Sequence, residues 1–288
     1  MNDTDYNLLV FRVPADNYES FTDAVFGLGC LGIEDKDLGD TIECRCWFEK
    51  DPRFSDIVPR IQKHFEEVIF EKEESIPEED WNLNWRKNYS PVEIAPGIIV
   101  RPSWDKSDLS SYDKIITIDP KLTFGTGHHE TTRLCALLLQ KYFKDTKGRF
   151  MDVGTGTGLL SVTAALYGVD RITAFDIDQS CAENAPSNFR LNNVSGISCF
   201  VGNIHSVKPE EIFEGGCANI ISSILFPLIP EIHKRLMSGS VFIFSGILGT
   251  EKEKASSLLD GAGFILRETV YENEWIAIAA EKRCNCFL

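Results

Sequence analysis

Residues 150–161 read FMDVGTGTGLLS, a short apolar run ending in a glycine turn that opens into an apolar helical pattern. Strand, turn and helix in that order form the first unit of a doubly wound α/β sheet. The glycines fall at Gly154, Gly156 and Gly158, where they allow a tight turn and close approach of a ligand to free helix amides. A dinucleotide fingerprint places its third small residue one position later, and here that position is Leu159. Asp152, two residues before the first glycine, is expected to aim a carboxylate at the loop mouth, repelling a pyrophosphate and attracting a cation. Asp176 follows Gly154 by 22 residues, at the end of the next apolar run, where an acid accepts both ribose hydroxyls. Its other reading is a helix N-cap, for which Asp178 is better placed. A nucleoside, a positive charge and no phosphate together describe S-adenosylmethionine as the cofactor.

Further strands read outward from this unit. RFMDV, RITAFDI, ISCFVG, CANIISSI and SVFIFSG are short apolar runs suited to burial on both faces of a mostly parallel sheet. FILRETVY and EWIAIAAE are separated by two residues at most, so they are expected to pair antiparallel at the end of the sheet. Upstream lies a second glycine-punctuated loop, FGTGHHETT, from Phe124 to Thr132. Thr131 and Thr132 open a helix whose hydroxyls and amides suit a carboxylate, although simple capping explains them too. His128 and His129 read as structural or substrate-facing rather than as metal ligands.

The first 75 residues follow a βαββαβ order, with strands at about 6–13, 31–36, 41–48 and 67–72 and helices at 16–29 and 53–65. Residues 76–100 read as a linker, in which Trp81 and Trp85 suggest one short helix, and residues 101–288 as the second domain. Charge separates the two parts. Residues 1–80 hold 21 Asp and Glu against 8 Lys and Arg, a net of −13, while the other 208 residues carry a net of −2. So acidic a surface excludes nucleic acid phosphate as a direct partner and favours a basic protein. No apolar run reaches the 18 to 20 residues of a membrane span and the N-terminus lacks a signal peptide pattern, so a cytoplasmic location without membrane attachment is expected. Nine cysteines without a C-x-x-C pair, and histidines away from them, point to reduced thiols and no metal.

These motifs resemble the bacterial ribosomal protein methyltransferase family PrmA. FGTGHHETT is similar to that family's loop, DVGTGTG to its cofactor turn, FDID to its ribose acid and FSGIL to a later strand and turn, and EDWNLNWRKNYSPVEI is similar to its linker. The resemblance implies a seven-stranded class I methyltransferase sheet with an antiparallel terminal hairpin, preceded by a small α+β ferredoxin-like domain. It implies S-adenosylmethionine-dependent methylation of lysine or N-terminal amines on large-subunit ribosomal protein eleven, by a monomer. Carried onto this chain, the family's cofactor contacts are Thr132, Gly154 and Asp176, beside Asp152, Gly156 and Gly158 from the turn itself. A further family contact is an asparagine at the end of the fourth sheet strand. Counting back from Pro227 and Leu228 puts Ser222 or Ser223 there, with Ser223 taken as the contact and Asn219 too near the strand's start. That departure keeps open another protein or a small amine as substrate, or a cofactor-binding protein without activity. Asn203 is expected either near the adenine or in a surface loop. No residue offers itself as a general base.

Overall fold

The computed structural model describes residues 6–30, 32–49, 56–65, 67–76, 89–120 and 123–284. Contacts divide the chain between Tyr89 and Ser90 into two units. In the first, β1 (Tyr6–Pro14), α1 (Tyr18–Gly27), β2 (Gly32–Asp37), β3 (Thr41–Glu49), α2 (Ile57–His64) and β4 (Ile69–Ile76) follow one another. Their strands form an antiparallel sheet of order β2-β3-β1-β4. Leu9, Phe11 and Val13 alternate along β1 onto one face, where Phe21 and Val25 of α1 and Ile57 and Ile61 of α2 cover them at helical spacing. The helix expected around Trp81 and Trp85 lies outside the described residues.

The second unit begins inside the stretch read as linker. Residues 92–100 are not a linker: β5 (Val92–Ala95) and β6 (Ile98–Pro102) form an antiparallel hairpin, to which β7 (Lys114–Ile118) adds in parallel. Gly97 turns the hairpin at φ +77°, and Ile98, Ile99 and Val100 are buried. The Pro-Gly pair between two apolar runs was the available signal.

The larger sheet runs β10 (Ile197–Val201), β9 (Arg171–Asp176), β8 (Arg149–Val153), β11 (Phe213–Asn219), β12 (Leu236–Leu248), β14 (Trp275–Lys282), β13 (Phe264–Glu272). Neighbours are parallel as far as β12, and β14 is antiparallel to both of its partners. Alternation along β8 sends Phe150 to one face and Met151 and Val153 to the other. On the Phe150 face pack α3 (Glu130–Phe143), α4 (Leu159–Leu166) and α5 (Gln179–Leu191). The opposite face is covered by α6 (Ser222–Lys234) and α7 (Lys252–Gly261). Among the described residues no helix is long and apolar enough to cross a membrane.

CANIISSI is not one strand. β11 starts earlier, at Phe213, and stops at Asn219, so Ser222 and Ser223 belong to the first turn of α6. Gly215 and Gly216 look like breakers in the sequence, yet the sheet requires them. A Cβ on Gly215 would lie 2.2 Å from the Phe143 ring, and one on Gly216 2.4 Å from that of Phe242.

The strand order reverses between β8 and β11, because the chain leaves β8 for β9 on one side and reaches β11 on the other. Such a reversal leaves a crevice outside the carboxyl ends of the two strands.

Candidate functional site

A cavity of about 480 Å³ opens at this reversal, within the size range of small-molecule sites. Gly154 and Gly156 from the turn after β8, Asp176 from the end of β9 and Asn219 from the end of β11 line it. The upstream loop and α3 add Thr123, Phe124, His129 and Thr131, and Trp275 joins them from the start of β14. An adjoining void of about 20 Å³ shares Phe124, Gly154, Gly156 and Asn219 and is lined by Thr132. The two glycine loops therefore face one space. Thr157 ties them directly, donating its amide to the Phe124 carbonyl at 3.0 Å and its hydroxyl to that of Gly125.

The three glycines serve different purposes. Gly156 has φ +54°, and a Cβ there would lie 2.5 Å from the Phe124 carbonyl oxygen, so a side chain would part the two loops. Gly158 lines neither cavity. It caps α4 at φ +81° and lets α5 approach, since a Cβ would meet the Phe189 ring at 2.5 Å. Its expected cofactor contact is corrected to a packing role.

Asp152 is not at the loop mouth. It is 1% exposed, lines neither cavity, and sits beneath the turn as an acceptor for three donors. Thr155 Oγ1 at 2.8 Å and Ser161 Oγ at 2.6 Å donate to one oxygen, and Cys217 Sγ at 3.4 Å to the other. Strand alternation explains the correction: Asp152 points to the α4 face, paired in register with Cys217, while the turn beyond it faces the crevice. Burial raises its carboxyl above the ordinary value of 3.8 in spite of these donors. The same burial, with Asp152 adjacent, raises the Cys217 thiol well above its ordinary value.

Asp176 is partly exposed and lines the cavity, as a ribose-binding acid would. It accepts the amides of Gly156 at 2.9 Å and Asp178 at 3.0 Å, one on each oxygen, which orients the carboxylate and leaves lone pairs for a ligand. Asp178 is the N-cap of α5, accepting from Ser180 at 2.8 Å.

The strand-end position belongs to Asn219, not Ser223. Ser223 is exposed on α6, Ser222 donates to Glu251 at 2.8 Å, and neither lines the cavity. Asn219 is 8% exposed and donates through Nδ2 to Thr132 Oγ1 at 3.3 Å. Its Oδ1 is buried with no hydrogen-bond partner, an acceptor left for something that enters the cavity. The signal in the sequence was the change from CAN to IISS, a polar residue closing an apolar run just before a helix start.

His129 caps α3: Thr131 offers its amide at 3.2 Å and its hydroxyl at 2.8 Å to His129 Nδ1. A ring nitrogen that accepts carries no proton, so the neutral ring has its N–H at Nε2. The ring packs edge-on to Trp275 at 5.0 Å and tilted to Phe124 at 5.3 Å. Arg133 pairs with Glu272 of β13 at 2.6 Å, and Asn273 donates to Glu130 at 2.8 Å, which ties the start of α3 to the terminal hairpin. Cys181 also lines the cavity, but burial, with Asp176 and Asp178 adjacent, pushes its thiol up to about 12. At neutral pH it is a wall and not a nucleophile. Asn203 caps a short 3-10 helix through the His205 amide and lies outside the cavity lining.

The rim is apolar. Phe124, Ile221 and Ile224 line the cavity while remaining 54%, 58% and 48% exposed. Sequence reasoning missed these residues and Trp275, because nothing in a linear pattern marks an isoleucine as facing a crevice.

Comparison with known proteins gives a consistent picture. The family model described as "Ribosomal protein L11 methyltransferase (PrmA)" matches residues 25–283. A ribosomal protein L11 methyltransferase of Clostridium perfringens is 31% identical over 244 residues, 82% of this chain and 77% of the relative. The protein of that name from Acetivibrio thermocellus is 38% identical over 204 residues, 70% of this chain and 64% of the relative. Among solved structures, the ribosomal protein L11 methylase from Lactobacillus delbrueckii subsp. bulgaricus superposes with a TM-score of 0.63 at 27% identity, covering 68% of this chain and all of that one.

Proposed function

Because the chain belongs to the ribosomal protein L11 methyltransferase (PrmA) family, we propose that it transfers methyl groups from S-adenosylmethionine to amines of ribosomal protein L11, on lysine side chains, the N-terminal α-amine, or both. The observation that carries this reading is the pairing of Asp176 with the unpartnered Asn219 Oδ1 in one cavity at the sheet's reversal. The cofactor fits the residues present: a carboxylate for ribose hydroxyls, glycines where a Cβ would intrude, and a threonine hydroxyl, that of Thr132, able to donate to a carboxylate group. Bound there, S-adenosylmethionine supplies a methyl group activated by its sulfonium sulfur.

The chain's own residues account for the rest. Asp176 accepts the ribose hydroxyls, Gly154 and Gly156 let the backbone approach the ligand, and the Thr132 hydroxyl, which accepts from Asn219 and keeps its own proton to donate, receives the methionyl carboxylate. Asn219 is the family's strand-end asparagine, its amide held by Thr132. With it in that position, the reason for weighing another substrate falls away. A lysine must lose a proton before it attacks, which costs about 4 to 5 kcal/mol at pH 7 for a pKa near 10.4. The described cavity lining offers no uncommitted base for that proton: His129 Nδ1 is engaged in capping α3, Asp178 caps α5, and Asp176 is assigned to the ribose. Phe124, Ile221 and Ile224 instead exclude water from the incoming amine, which favours its neutral form. The acidic N-terminal residues 1–75 are the proposed recognition unit for the basic substrate, supported by the net of −13 within residues 1–80.

Intact-mass analysis of purified ribosomal proteins, after incubation with the full chain and S-adenosylmethionine, tests the function. Mass gains in whole methyl increments on L11 alone are expected. An unmodified L11, in a reaction where the chain binds the cofactor, overturns the proposal.

A further inference from the structure

Three asparagines of one helix carry hydrogen bonds that the catalytic reading does not use. Asn184, Asn188 and Asn192 recur every four residues along α5 and its C-terminal cap, and the first two are fully buried. Four helical residues advance about 6.0 Å, and two strand residues about 6.6 Å. A row of amides at that spacing therefore matches alternate residues of an extended chain, and the structure uses the match on the free edge of β7.

Asn192 clamps Thr117, accepting its amide at 2.8 Å and donating to its carbonyl at 2.7 Å. Asn188 repeats the clamp two residues on, accepting the Asp119 amide at 2.7 Å and donating to the Asp119 carbonyl at 3.3 Å. β6 covers the other edge of β7, so the asparagines stand in for a missing strand. The ladder then leaves the strand and reaches the site. Asn188 Nδ2 also donates to the Thr157 carbonyl in the glycine turn at 2.8 Å. Asn184 Nδ2 donates to the Asp119 carbonyl and to Thr123 Oγ1, both at 3.1 Å, and Thr123 lines the cavity.

We propose that Asn188 and Asn184 are positioning residues that set the first loop against the glycine turn and so fix the width of the cofactor cavity, with Asn192 as the anchor that only holds β7. One amide group bridges the segment entering the first loop to the carbonyl of the residue whose own amide and hydroxyl hold that loop. The same helix begins at Asp178, two residues past the ribose acid, and packs against Gly158. Both ends of the ligand site are thereby referenced to one rigid element. The inference rests on the proposed reading of the cavity as an S-adenosylmethionine site.

Asn192 supplies an internal control, because it makes the same two-bond clamp without touching either loop. The full chain and its Asn184→Ala, Asn188→Ala and Asn192→Ala variants are compared in Tm, in calorimetric affinity for S-adenosylhomocysteine, and in ligand-free hydrogen exchange at the Thr157 amide. Asn188→Ala and Asn192→Ala are expected to lower Tm alike, yet affinity falls about tenfold in Asn188→Ala and stays within about twofold in Asn192→Ala. Asn184→Ala is the milder arm. Removing its unpartnered buried Oδ1 offsets the lost bonds, so affinity falls about threefold with little change in Tm, and this arm stands if Asn188→Ala fails to fold. Exchange at Thr157 rises in the Asn184 and Asn188 variants only. Affinity that follows Tm equally in all variants, or exchange that rises as much in Asn192→Ala, overturns the ladder's role. A wild-type chain that binds no S-adenosylhomocysteine overturns the cavity reading instead, and the ligand-free exchange then decides the ladder separately.

Discussion

Asp152 and Asp176 lie near or at the carboxyl ends of neighbouring strands of one sheet, and their surroundings give them opposite duties. Asp152 is sealed under the glycine turn and its acceptors are taken by two hydroxyls and a thiol. Asp176 stands over the crevice, fixed by two backbone amides and open on its ligand side. The first holds the shape of the turn, and in the proposed function the second holds what the turn surrounds. Sequence spacing cannot separate the two, since both are acids next to glycines or a helix start. What separates them is the alternation of side chains in a strand, which hides one and presents the other.

Removing the hidden acid has the largest expected effect. Asp152→Ala leaves Thr155, Ser161 and Cys217 facing an empty acceptor site, so stability falls by about 3 kcal/mol or more, read as a lower midpoint in urea unfolding. A loss below about 1 kcal/mol would show that the brace is dispensable. Asp176→Ala is the converse: affinity for S-adenosylmethionine falls about a hundredfold, from two lost charge-assisted bonds, while the unfolding midpoint moves little. Asn219→Ser replaces the amide with a shorter hydroxyl that cannot span from Thr132 to the ligand, and kcat/KM on the protein substrate is expected to drop about tenfold.

The smallest effect is a pH dependence that belongs to Asp152 alone. Its folded-state pKa lies above its unfolded value, so the folded state holds the proton more tightly. The group's contribution to stability is fully present below the ordinary 3.8 and is lost as pH rises through the folded value. Asp152→Asn removes that titration. Measured against this variant, the wild-type chain is expected to be relatively more stable at the acid end of the window than at neutral pH. A difference that is constant with pH would contradict the assignment.

The sequence exposed most of the parallel strands, the glycine turn, the cavity-lining Asp176 and the terminal hairpin, because each carries a local signal. RFMDV is β8 residue for residue. Where a residue's neighbours are distant in the chain, the signal fails. Gly215 and Gly216 read as a break and are strand interior, since the Phe143 and Phe242 rings occupy the space that side chains would need. Pro227 and Pro230 read against a helix and lie inside α6. Counting back from Pro227 and Leu228 placed the strand end inside what is the first turn of α6 and so exchanged Asn219 for Ser223. The duty of Asp152 was lost in the same way, because the charge was legible and its direction was not. The asparagines of α5 were invisible as a group, since their partners lie 31 to 75 residues away.

Equilibrium calorimetry on the full chain with S-adenosylmethionine, and in parallel with a dinucleotide that carries a pyrophosphate, tests the central claim most directly. Saturable binding of S-adenosylmethionine to the wild type, about a hundredfold weaker in Asp176→Ala and absent for the dinucleotide, is the expected result. Binding of the dinucleotide with no heat from S-adenosylmethionine would contradict it.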